Sequence, residues 1–230
     1  PLTQPEQACQ LVLENFSSIP FWPQLPRRHA LENMYLQFAD GLPGVSDVDG
    51  KLIIDTSGDF ELAAATFYER YMESTEDGFP LETDRAAGFW SFLDAAARVK
   101  PRPEGSRFFA VKGQVTGPIS FGLVATDRDL KPILYHDLAM DIIAKNIAMT
   151  ARWQENALAA LGAPTIMFVD EPSMASYGSA FFNFGADLVS HYLELATEGV
   201  KSLIAIHCCG NTDWSLLMDS NISLLSFDAY

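Results

Sequence analysis

The stretch TIMFVDEP (165–172) decides how the second half of the chain folds. Its short apolar run stops at two carboxylates and a proline, as a buried strand does where it gives way to a loop. Upstream, residues 131–161 read as a long helix in which Ala139, Ile143, Ile147 and Ala151 recur at four-residue spacing on one face. Before that helix, FFAVKGQV (108–115) reads as a strand ending at the turn TGP (116–118). Downstream, residues 179–198 read as a helix and SLIAIHCC (202–209) as a strand ending at Gly210. DWSLLMDS (213–220) then reads as a short helix and SLLSFDAY (223–230) as a strand. Apolar strands alternating with helices predict a parallel sheet covered by helices. No GxGxxG follows a strand and no GxxxxGK[ST] occurs, which removes the commonest signatures of nucleotide-binding open sheets. The predicted fold is α/β, a (β/α)8 TIM-type barrel.

The first half is less regular. SSIPFWPQLP (17–26) is kept extended by Pro20, Pro23 and Pro26, and HALENMYLQFAD (29–40) reads as helix-like. A loop, GLPGVSDVDG (41–50), leads to two helical patterns, 61–74 and 83–99, with Thr83 as N-cap of the second. PRPEGS (101–106) breaks the chain before the alternation begins. Four clear strands, with two more near the N-terminus, fall short of eight, and the chain stops on a strand. Residues 1–230 are therefore expected to form a single (β/α) barrel domain, incomplete at its C-terminus.

The net charge is −15, from 15 Lys plus Arg against 30 Asp plus Glu, a surface that repels phosphate backbones and anionic lipid. Nucleic acid and membrane partners are not expected. No apolar run approaches the roughly 20 residues of a membrane span, and no signal peptide is read at the N-terminus. Cys9, Cys208 and Cys209 make a poor disulfide framework and fit a reducing compartment, so a cytoplasmic protein is expected.

In parallel α/β folds the reactive residues gather at the C-terminal ends of the strands. Those ends hold Gln114 and Thr116, then Asp170 and Glu171, then His207 and Cys209, then Asp228. His207 and Cys209, two apart on a strand, point to one side, while Cys208 faces the other way. Imidazole and thiolate are favoured zinc ligands; a buried histidine beside small buried cysteines is the competing reading. Asp170 and Glu171 suit acid–base work or the binding of a substrate ammonium. Against that, Asp170 or Ser173 suits capping of a helix that has Pro172 in its first turn. Around Lys112, Gly113 and Gly117 read as strand-to-loop geometry, with close substrate approach to the main chain as the alternative. Arg27 and Arg28 suit a substrate carboxylate or a solvated surface.

Three motifs together, VKGQVTGPISFG (111–122), FVDEPSM (168–174) and IHCCGNTDW (206–214), resemble one superfamily. It joins cobalamin-independent methionine synthase with uroporphyrinogen decarboxylase and the methylcobamide:thiol methyltransferases. SSIPFWPQLP (17–26) resembles the family's first barrel strand more loosely, and the resemblance spans essentially the whole chain. It implies zinc held by His207 and Cys209, with Asp170 contacting the acceptor. From their own places in the sequence, Glu171, Gln114 and Thr116 at strand ends and Arg27 and Arg28 after the first extended segment are the candidate substrate-binding residues. Asp228 stands near the place of the family's acidic ligand, at a shorter spacing from Cys209 than the family's, and a last cysteine ligand is expected beyond residue 230. The activity implied is zinc-dependent transfer of a methyl group from a corrinoid or similar donor, with a corrinoid protein as a partner, to a small-molecule thiol. The rivals are a metal-free decarboxylase that uses Arg27 or Arg28 for substrate carboxylates and a non-catalytic subunit that binds a corrinoid or a partner. Complete methionine synthases of this type have two barrels, which argues against a folate-dependent synthase acting alone.

Overall fold

A computed structural model of the protein describes residues 2–74, 78–102, 105–179, 182, 184–217 and 220–229. The chain opens with helix α1 (Pro5–Asn15), which starts on Pro5 and buries Ala8, Cys9 and Val12. Strands β1 (Val45–Val48) and β2 (Lys51–Ile54) form an antiparallel hairpin. Its turn puts Asp49 (φ 53°) and Gly50 (φ 78°) in the left-handed region, the conformation that favours Asp-Gly. Helices α2 (Phe60–Glu73) and α3 (Ala87–Ala97) follow. The second half runs β3 (Val111–Thr116), α4 (Pro118–Val124), α5 (Asp137–Ala159), β4 (Thr165–Asp170), α6 (Ala186–Ala196), β5 (Leu203–Cys208) and β6 (Leu224–Phe227).

The last four strands form one parallel sheet in the order β3-β4-β5-β6. Side chains alternate across it. Val111, Val115, Met167, Val169, Ile204, Ile206 and Cys208 are buried on one face, and α5 packs against β3 and β4. The opposite face carries Lys112, Gln114, Thr116, Ile166, Phe168, Asp170, Ala205 and His207, and is more open. Its Leu203 is 53% exposed and its Leu224 41%. Among the described residues the four strands make an open sheet, not a closed barrel. No helix among them is long and apolar enough to cross a membrane.

The free edge of β3 is used. Residues 18–21 run parallel to it, with Phe21 bridged to Lys112, Lys112 N–H donating to Pro20 O (2.9 Å) and Phe109 N–H to Ser18 O (2.9 Å). Pro23 has no N–H to continue the ladder. Gln154, on α5 and fully buried, takes over there. Its Nε2 donates to Gln114 O (2.9 Å), and its Oε1 accepts from Gln114 N–H (3.4 Å) and Trp22 Nε1 (2.9 Å). A side-chain amide thus stands in for the missing stretch of strand.

Several sequence expectations meet tertiary effects. Residues 29–40 form two 3-10 turns, Ala30–Glu32 and Leu36–Phe38, where one helix was expected. Thr83 caps nothing: α3 begins at Ala87, whose N–H is taken by the buried Glu32 carboxylate (3.1 Å). The long helix expected over 131–161 is split. A 3-10 turn at Ile133–Tyr135 precedes α5, and His136 caps α5 by accepting Ala139 N–H through Nδ1 (3.3 Å). The helix expected over 179–198 covers Ala186–Ala196, and Ala180, Phe181 and Asn183 of that range lie outside the described residues. The short helix expected at 213–220 is a 3-10 turn at Trp214–Leu217, with Met218 and Asp219 outside them too.

Replacing Gln154 by leucine keeps the volume but leaves Gln114 N–H and C=O and Trp22 Nε1–H without their partner in a buried setting. Each unpaired group costs about 1–3 kcal/mol, so a loss of about 3 kcal/mol or more is expected in urea unfolding. A loss under about 1 kcal/mol would show that the amide does not carry the β3 edge.

Candidate functional site at the strand ends

The parallel register aligns one rung of polar side chains at the C-terminal end of the sheet. Thr116 pairs with Asp170, Asp170 with His207, and His207 with Ser226. Paired residues of adjacent parallel strands project to the same face, so the four stand side by side on the open face.

Each member has a different fate. The Thr116 hydroxyl donates to Met34 O and is buried, tying residues 33–36 over the end of β3. His207 holds Ser226 Oγ through Nδ1 (3.0 Å), which leaves Nε2 for another partner. The Asp170 carboxylate accepts no hydrogen bond from the described residues, and neither Asp170 nor Ser173 caps the 3-10 turn Pro172–Ser176. Burial pushes the Asp170 carboxyl above the usual carboxylate range, while Lys112 and His207 pull the other way. Lys112 reaches along this face from two rungs below. Its ammonium lies 4.0 Å from the Phe168 ring centroid, and burial lowers its pKa while Asp170 raises it.

Glu171, one residue on, leaves the strand and turns inward. It is fully buried and accepts Ile119 N–H (2.9 Å), Ser120 N–H (2.7 Å) and Ser120 Oγ–H (2.5 Å) at the start of α4. Ser173 N–H donates to the same Ser120 Oγ (2.9 Å), and Glu171 N–H to His207 O (2.8 Å). Gly117 is set by this carboxylate, because a Cβ there would stand 2.2 Å from Glu171 Oε1. Burial pushes the Glu171 carboxyl up to about 7 against the pull of its three donors.

Past the end of β5, Cys208 and Cys209 part company. Cys208 is fully buried, and burial pushes its thiol up. Cys209 is exposed and shares a pocket of about 260 Å³ with Asn211, Trp214, Phe227 and Asp228. Tyr35, on the segment tied down by Thr116, lies within electrostatic reach of both Glu171 and Cys209, and burial is the main cause of its raised pKa. Among the described residues, no group of three or more His, Cys, Asp and Glu side chains is arranged to hold a metal.

The remaining candidates lie elsewhere or are occupied. Gln114 is buried, with Nε2 donating to Trp22 O (3.0 Å) and Oε1 unpaired. Arg28 is engaged by Glu32 (2.6 Å) and Asp84 O (3.2 Å). Arg27 lines an apolar groove against α1 with Leu11, Val12 and Phe16, away from the rung's residues. Sequence reasoning did not single out Ser226 or Tyr35. Ser226 had a signal, since it sits in the expected last strand; Tyr35 sat in a stretch read as helix. No family model matches the chain, and no curated protein matches it significantly.

Two titrations follow. The folded state holds Glu171 at about 7 against an ordinary 4.5, so it binds a proton that the unfolded chain has released over that interval. Its stabilising contribution is present below about pH 4.5 and is lost as pH rises through 7, worth roughly 3 kcal/mol. Urea midpoints at pH 5 and pH 8 are expected to fall further for wild type than for Glu171→Gln; equal falls would refute the assignment. In carbon-detected NMR, Asp170 is expected to titrate above the ordinary carboxylate range, and higher still in Lys112→Met, which removes the ammonium beside it. An unmoved Asp170 in Lys112→Met would remove Lys112 from the site.

Proposed function

We propose that this chain carries the active face of a (β/α)8 TIM-type barrel that transfers a methyl group to a small-molecule thiol with the help of zinc. The observation that supports the reading is the rung itself: an acid without a hydrogen-bond donor beside an imidazole held by one nitrogen, at the C-terminal ends of adjacent parallel strands. Residues 18–21 beside β3 extend the parallel order by one further strand-like segment, as a barrel requires.

The donor set was weighed against the chemistry of zinc. His207 offers Nε2, its orientation fixed by Ser226, and Cys209 offers an exposed thiol. Cys209 and Asp228 border one pocket, but the described residues supply no complete set of three ligands. In this reading a further ligand comes from outside them. Zinc, when bound, supplies a site that holds an acceptor thiol as thiolate below its free pKa of ~8.5. A corrinoid or a similar carrier is the proposed methyl donor.

The chain's own residues do the positioning. Asp170, ionised, takes the acceptor's ammonium; the half-dry face strengthens that pairing relative to water. Because burial raises the Asp170 pKa, acceptor binding strengthens as pH rises through it. Lys112 opposes that rise and keeps Asp170 charged over a wider range of pH. Glu171 and Thr116 act indirectly, by fixing α4 and the Tyr35 segment around the rung.

Metal analysis separates this proposal from a metal-free barrel. On protein that carries the further ligand, wild type and Cys208→Ala are expected to hold about one zinc per chain, and Cys209→Ala and His207→Ala to hold little, because removing one of three protein ligands opens the site. Cys208→Ala should cost roughly 1 kcal/mol of packing. Equal zinc in wild type and Cys209→Ala would reject the zinc assignment and the mechanism with it.

A further inference from the structure

One lysine on the open face of the sheet is set differently from the others. Lys51, Lys100, Lys131 and Lys201 are exposed, and Lys145 is ion-paired with Asp141 (2.6 Å). Lys112, near the start of β3, is partly buried. Among the described residues its Nζ makes no hydrogen bond and no ion pair. It lies between two rings instead, 4.0 Å from the Phe168 centroid and 5.9 Å from that of Phe21.

The backbone fixes this arrangement. Lys112 N–H donates to Pro20 O (2.9 Å), which sets Phe21 beside it, and the register with β4 brings Phe168 one rung further along the same face. Asp170 stands one rung beyond Phe168. Leu203, on the rung of Lys112 and Ile166, is exposed, so this face is reachable from solvent.

A ring face attracts a cation, but it does not replace the oxygen acceptors that an ammonium's three N–H bonds find in water. Burial accordingly lowers the Lys112 pKa, while Asp170 raises it. A larger share of Lys112 than of an exposed lysine is then the uncharged amine, which is the nucleophilic form. The surroundings also select what that amine can meet. The rings favour an apolar substituent, and the Asp170 carboxylate repels an anion while favouring a cation at Nζ.

We propose that Lys112 captures a small uncharged aldehyde or ketone as a covalent imine. The Nζ lone pair attacks the carbonyl carbon, and the C=O π pair moves to oxygen, which takes the proton that nitrogen releases. The C–O bond of the resulting carbinolamine then breaks, and the hydroxyl leaves as water with the proton that the ammonium first gave up. One ammonium and one carbonyl compound thus yield one iminium and one water, with no oxidant or reductant. The charge beside Asp170 is unchanged, because the iminium is a cation like the ammonium it replaces. This capture does not rest on zinc or on methyl transfer.

Reductive alkylation of the whole wild-type protein at neutral pH, read by peptide mass mapping, tests it. Propanal is the probe, and cyanoborohydride delivers hydride to the imine carbon to leave a stable secondary amine. Lys112 is expected to be labelled several-fold faster than Lys51, Lys100, Lys131 and Lys201, which serve as controls within the same molecule. Glyoxylate, a carbonyl compound that carries a carboxylate, is expected to lose most of that preference. The preference for propanal is expected with and without a metal chelator, so absence of zinc would count against methyl transfer and leave this capture standing. Lys112 labelled no faster than the exposed lysines, an equal preference with glyoxylate, or a preference abolished by the chelator would each overturn the proposal.

Discussion

The parallel pairing of β3, β4 and β5 in one register is the constraint on which the rest of the molecule depends. It puts Thr116, Asp170 and His207 on one rung and, through β6, brings Ser226 to the His207 ring. A shift of one residue in any pair would move an entire strand's side chains to the opposite face. The same constraint separates two adjacent carboxylates. Asp170, the last residue of β4, stays on the open face without a hydrogen-bond donor. Glu171, just beyond it, is enclosed and saturated by the start of α4. One position thus decides which acid is available to a ligand and which holds the fold.

Buried polar side chains keep that register where the main chain cannot. The Gln154 amide completes the edge of β3 after the prolines of the first segment stop pairing. Glu155, next along α5, accepts Lys201 N–H (3.0 Å) and Ser202 N–H (2.5 Å) just before β5. Glu32 accepts the first N–H of α3. Each meets backbone groups that no strand or helix partner supplies with a hydrogen bond. Among the described residues no donor meets the Asp170 carboxylate on the open face, and that asymmetry with Glu171 marks the strand ends as the place where a ligand has something to gain.

Much of this was legible in the residues, and the rest was not for physical reasons. Apolar runs ending in polar residues marked β3, β4, β5 and β6, because a strand buried against helices has no room for polar groups until it emerges. The opposed environments of Cys208 and Cys209 followed from alternation, although β5 ends at Cys208 and Cys209 already lies past it. The start of α3 was misread at Thr83, since its cap comes from Glu32, more than fifty residues upstream and invisible to any local rule. Residues 29–40 carry a helical pattern, but their polar groups are claimed by distant partners such as Arg85 and Thr116, which bend them into turns. Tyr35 was hidden for the same reason. The glycine at 117 was read as loop geometry, whereas its requirement is contact with a carboxylate fifty-four residues away in sequence.

We propose that His207 and Cys209 bind one metal ion at the end of this sheet. X-ray absorption at the zinc edge of the metal-loaded protein tests it most directly, because it identifies the bound atoms by element and distance. The account predicts at least one sulfur at about 2.3 Å together with imidazole nitrogen at about 2.0–2.1 Å. A shell of oxygen and nitrogen without sulfur, or sulfur without imidazole, would contradict it.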